Sequence, residues 1–379
     1  MIYKYRTLRK DMRMDNLNFQ RFIDSIEIPQ INPDTNFWLV RTKQGFFYDE
    51  FIKENFIALG WNIITQERIR NNKTKDDEKL IFEEIKKNYK GTKQPGRVYN
   101  KCVRFVEDIR ENDIIMIPSA NSKKISFALA GEYYEDKNLN YSKELEVNTQ
   151  IEGAWGEVFL IKCPYRKRRK IKLLKTVSGA VLNPNLYKAL VSYHGISNIN
   201  NYSDYILSSI FNVYYWENQI NYVFNIEKKK DINPINISNV IINFADIAKE
   251  MLSSETDINE LSGKMNINSP GDIILTLQNC ASSIFGFITS NKFVFIIIWL
   301  SLCGGSIKLP GGLDLSSGSF LEFIYKFREQ NNKFKNDILN RELLQMKITA
   351  LSNEAKKLHI NKSNYDNIID LEKYFRKDD

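Results

Sequence analysis

Ile114-Ile115-Met116-Ile117-Pro118-Ser119-Ala120-Asn121-Ser122-Lys123-Lys124-Ile125-Ser126-Phe127-Ala128-Leu129-Ala130-Gly131-Glu132-Tyr133-Tyr134 is the stretch on which the architecture turns. Ile114–Pro118 has the composition of a strand. Asn121-Ser122 supplies a turn, and Ile125–Tyr134 a second strand. Upstream, Glu111-Asn112-Asp113 is a turn. Val98 to Ile109 forms a helix, with Val103, Phe105, Val106 and Ile109 available for packing. Pro95-Gly96 breaks the chain before it. Residues 66–93 are charged and helical, with Leu80, Ile81, Phe82 and Ile85 on one face. Phe37–Arg41 and Phe56–Trp61 are strands, separated by a short helix around Asp49–Asn55. Downstream, Glu157–Cys163 and Arg169–Leu174 are further strands, and Asn183–Tyr193 and Tyr202–Val213 short helices. Many short strands with helices inserted between the early ones predict a small, partly open barrel of about 150–180 residues.

The second half has a different texture. Tyr222–Ile226 is a strand, followed by the solvated run Glu227-Lys228-Lys229-Lys230. Ile237–Leu252 is an amphipathic helix. Leu261–Ile267 and Asp272–Leu277 are strands joined by Ser269-Pro270-Gly271. An apolar helix over 280–303, a Gly-rich turn and a long helix from about Ser319 to Leu358 complete the pattern. The fold class is therefore α+β. Residues 1–35 are a basic lead-in, 36–215 a barrel domain, and 216–379 an α/β-to-helical domain. The length of 379 residues suits such a division.

Composition excludes several chemistries. The four cysteines, Cys102, Cys163, Cys280 and Cys303, form no CxxC pair, and His194 and His359 lie in no recognisable motif. No GxxxxGK[ST] or HExxH occurs. No motif requires a catalytic residue, metal or cofactor, and a reduced, cytosolic setting is the simplest reading. The net charge is +8, but it is uneven. Residues 1–231 carry 38 basic and 29 acidic residues, whereas 232–379 carry 16 and 17. An anionic partner is thus expected at the N-terminal half.

Three groups of residues carry a family resemblance. They are Phe37-Trp38-Leu39-Val40-Arg41 leading to Ile57-Ala58-Leu59-Gly60-Trp61; Asn100-x-Cys102-x-Arg104-Phe105-Val106 leading to Asp113–Pro118; and Ala128–Tyr134 followed by Arg168-Arg169-Lys170-Ile171-Lys172. This pattern resembles the EVE-like branch of the PUA superfamily, as found in N-terminal modules of modification-dependent restriction and antiphage proteins. Asn112 stands where the family has a glycine, and both residue types tolerate positive φ. The resemblance implies a small β-barrel whose pocket receives a flipped, often modified, base from nucleic acid. Position-matching gives Trp38, Trp61, Asn100, Phe105, Ser119 and Tyr133 as pocket residues. Aromatic stacking and edge hydrogen bonds are what such a pocket needs. Three of them have a plainer reading: Trp38 and Trp61 as strand core, Asn100 as a helix N-cap.

The densest basic run holds Arg166, Lys167, Arg168, Arg169, Lys170 and Lys172, a candidate phosphate footprint or a solvated face. The resulting expectation is a nucleic-acid or modified-base sensor in bacterial antiphage defence, whose C-terminal helices serve as effector or oligomer interface. Two alternatives stay open. In one, helices from 273–307, which hold charge-free runs of 19 and 15 residues around Lys292, insert into the inner membrane. In the other, Glu144, Glu146 and Glu157 with Lys162 serve a metal-dependent nuclease.

Overall fold

The computed structural model describes residues 29–153, 162–191, 195–217, 219–226, 233–252, 261–266, 271–277, 306–309, 313–316, 338–358 and 360. The chain divides into two compact units, one spanning Asp34–Ile210 and the other joining Met1–Pro33 to Phe211–Asp379.

In the first unit, β1 (Phe37–Val40), β2 (Phe56–Leu59), β3 (Ile114–Pro118), β4 (Lys124–Glu135), β5 (Lys167–Ser178) and β6 (Ile196–Asn198) form one sheet. Its order is β2-β5-β4-β3-β1-β6. β1 runs parallel to β3 and every other pairing is antiparallel, so the sheet is mixed. It curls into a half-barrel. The expected β3-turn-β4 pair is present, with Ile114 opposite Leu129 and Pro118 opposite Ile125. β5 is twice as long as expected, because a bulge between Phe127 and Ala128 carries its pairing with β4 through to Ser178.

Helices α1 (Tyr48–Lys53), α2 (Gln66–Asn71), α3 (Lys75–Asn88) and α4 (Pro95–Val103) fill the β1–β3 crossover, with α1 preceding β2. Thr65 and Thr74 cap α2 and α3. The single helix expected over Val98–Ile109 instead changes pitch. After α4, Arg104–Asp108 form a π turn, closed by Ile109 N–H donating to Arg104 O. Asn112 adopts φ 70°, as the turn requires. α5 (Tyr141–Gly153), α6 (Pro184–Leu190) and α7 (Ser203–Ile210) complete the unit. One apolar core joins Trp38, Val40, Phe51, Ile57, Ile85, Cys102, Phe105, Ile115 and Ile117.

In the second unit, β7 (Val213–Trp216), β8 (Gln219–Ile226), β9 (Leu261–Asn266) and β10 (Gly271–Leu277) form an antiparallel sheet in the order β7-β8-β10-β9. Phe244 of α8 (Pro234–Leu252) packs its ring 5.1 Å from Tyr222 and 5.9 Å from Phe224 of β8. β11 (Ser306–Leu309) and β12 (Leu313–Ser316) make a hairpin, and α9 (Ile338–Lys357) packs on α8. This corrects the inserted-helix alternative at both ends. Ile273–Leu277 are paired in β10, their bulky side chains buried from Ile273 to Thr276, and Ser306–Ile307 belong to β11. Between them, 278–305, with the expected apolar helix, lies outside the described residues, as do residues 1–28 and the strand positions 157–161. Among the described residues no helix is long and apolar enough to cross a membrane.

Candidate nucleic-acid interface

Trp61 follows β2 at φ 59°, a left-handed conformation that costs a bulky residue about 1–3 kcal/mol. Buried groups from separate elements hold it there. Glu144, near the start of α5, accepts from the backbone N–H of Trp61 at 2.6 Å and of Asn62 at 2.7 Å. Its second oxygen also accepts from the Tyr89 hydroxyl at 2.8 Å. Gly60 makes this approach feasible, since a Cβ there would lie 2.7 Å from the Glu144 carboxylate. From β5, the fully buried Lys167 ammonium donates to Trp61 O at 2.7 Å and Ile64 O at 2.9 Å. Asn62 donates to Asn140 O and Pro164 O and accepts from Arg166 N–H. Glu135 accepts from Gln66 N–H at 2.7 Å and from the Tyr133 hydroxyl at 2.9 Å. The 60–66 loop is thereby fixed at both ends and in the middle.

What the clamp presents is a half-buried indole with the Lys101 ammonium 5.3 Å from its ring centroid. Burial lowers the Lys101 pKa. Burial and then the nearby carboxylates raise the Tyr89 and Tyr133 hydroxyls well above their ordinary range, so both stay neutral donors.

The pocket residues expected from sequence separate into groups. Trp61 and Tyr133 both border this loop, and Asn100 is exposed on α4 beside Lys101. Asn100 is not an N-cap, because α4 begins at Pro95. Trp38 is buried in β1 with its indole N–H donated to Asp113 at 2.8 Å, which pins the 110–113 turn. Phe105 is fully buried, its ring edge-on to Tyr133 at 6.3 Å. These two are core residues, with no face left for a ligand. Ser119 lies at the opposite end of the β4–β5 ladder, where its hydroxyl accepts from Lys124 N–H.

The phosphate candidates divide by strand alternation. Lys167 and Arg169 point inward and are spent on backbone carbonyls. Arg169 donates to Gly131 O at 2.8 Å and, across the π turn, to Phe105 O and Val106 O at 3.3 Å. That corrects the expectation of six available charges. Arg166 pairs with Glu135, Arg168 with Asp136 and Lys170 with Glu132. Lys172 is exposed.

Lys101 and Asn62 were not among the residues expected from sequence, and Glu144 was named there only for the nuclease alternative, not for this loop. Gly60 before a bulky residue was the one local sign that something approaches the backbone there. With both its oxygens engaged by N–H and O–H donors, Glu144 serves as a loop clamp. Among the described residues, no cluster of His, Cys, Asp or Glu is fit to hold a metal ion. No family model, curated protein or solved structure matches the chain.

Proposed function

We propose that residues 34–210 form a nucleic-acid or modified-base recognition module of the EVE-like PUA kind, acting in bacterial antiphage defence, with the second unit as effector or assembly part. The observation that carries this reading is Trp61: a bulky aromatic held at positive φ by buried polar groups, with a cation against its ring. Backbone strain of this sort persists only where its surroundings over-determine it, and it concentrates at ligand sites. A fixed indole with an adjacent ammonium is suited to stacking a base while attracting its phosphate. The Asn100 amide beside Lys101 supplies both donor and acceptor for a base edge.

The test is a titration of modified and unmodified oligonucleotides against wild type and Trp61→Ala. The substitution is expected to weaken binding about 5- to 150-fold, the worth of one stacked base. Absence of wild-type binding at low salt, or binding indifferent to the substitution, would overturn the reading.

A further inference from the structure

Residues 41–48, 114–131 and 158–203 contain no acidic residue, and the last stretch holds nine basic ones. The fold sorts these charges. At the start of β5 they are neutralised by Glu132 and Glu135 of β4 and by Asp136 just after it, or buried on carbonyls. At the other end of the β4–β5 ladder they are not.

Four segments mesh there. Thr42 Oγ1 donates to Pro118 O at 2.9 Å. Gly45, at φ 98°, lies so close to Ala120 that a Cβ would fall 2.3 Å from its backbone nitrogen. Gly179 N–H donates to Lys123 O at 2.8 Å, and a Cβ on Gly179 would fall 2.1 Å from Ser122 O. The Tyr187 hydroxyl of α6 donates to Gly179 O, and the Arg41 guanidinium to Leu190 O. The resulting surface carries Lys43, Lys123 and Lys124, which form no ion pair among the described residues, and Lys188, bonded only to Asn185. Between them stand Phe46, Tyr187, Val181 and Val191, at 39, 42, 61 and 64% exposure.

We propose that this surface binds single-stranded nucleic acid, the lysines on its phosphates and the Phe46 and Tyr187 rings against its bases. Unneutralised lysines interleaved with exposed aromatics match what an unpaired strand offers, whereas a duplex hides its base faces. α6, the helix on this surface, has seven residues and so offers only about two turns. The surface is separate from the Trp61 site and does not rest on it.

The test is a titration of the full-length protein with labelled oligothymidylate and oligouridylate over a range of salt. Lys123→Gln/Lys124→Gln is expected to melt like wild type. It should flatten the dependence of log affinity on log salt by about 1.4, roughly 0.7 per lost phosphate contact. Phe46→Ala should weaken binding about 5- to 150-fold, and Trp61→Ala should leave the salt dependence unchanged. An unchanged slope in the lysine variant would overturn the proposal. So would an equal loss of slope from Lys170→Gln, or wild-type binding to phosphatidylserine vesicles without binding to oligonucleotides. A Trp61→Ala effect beside an unchanged lysine slope would remove this surface alone. A lysine effect with indifferent Trp61→Ala would remove the Trp61 reading alone.

Discussion

Trp61 shows how much neighbouring structure one residue can require. Its left-handed backbone is held by a carboxylate and an ammonium from distant parts of the chain, Glu144 and Lys167, and by the amide of its neighbour Asn62, which is itself anchored on Pro164 O. Lys175 is the opposite case, a charge with little support. Its ammonium reaches Ile210 O, at the end of α7, at 3.4 Å. Burial pulls its pKa from 10.5 down to about 8. Between those values the unfolded chain binds the proton that the folded chain has released, so stability rises with pH across that window. Wild type should therefore gain stability relative to Lys175→Met as pH rises from about 8 to 10.5. Urea denaturation of both proteins at the two ends of the window measures this, and a constant difference would refute it.

At the scale of elements, β5 and the π turn explain each other. The wide turn leaves Phe105 O and Val106 O open, and the inward Arg169 fills them. Arg169→Met should cost about 3 kcal/mol, since buried carbonyls then lose their donor. Lys123→Gln, at an exposed site, should stay within about 0.5 kcal/mol of wild type. Urea midpoints compare the two, and equal values would refute the structural role of Arg169. Part of this was legible beforehand. Ile171 is the sole apolar residue between Arg166 and Lys172, and a period of two puts Arg169 and Lys167 on its face. Charge density pointed the other way and prevailed, because a run of like charges ordinarily faces water. The β3-turn-β4 pair was legible, since alternation and turn chemistry are local. The clamp on Trp61 was not, because Glu144 acts across 83 positions of sequence.

At the scale of the molecule, the two compact units each contain their own sheet and buried apolar residues. Residues 34–210 expressed alone should unfold in one cooperative transition, with coincident far-UV and tryptophan fluorescence curves. Non-coincident curves, or a fragment without a transition, would show that this unit depends on the rest of the chain. The uneven net charge also resolves at this scale. The excess of the N-terminal half is cancelled at one end of a strand ladder and left standing at the other.

The alternation of β5 has one more consequence. Lys167, Arg169 and Ile171 face inward while Arg168, Lys170 and Lys172 face outward. A slip of one residue against β2 and β4 would expose Ile171, strand Lys170 and Lys172 in apolar surroundings, and remove the donors on which the Trp61 loop and the π turn depend. The charged strand thus acts as a key cut for a single alignment, and misaligned assembly is penalised at every tooth.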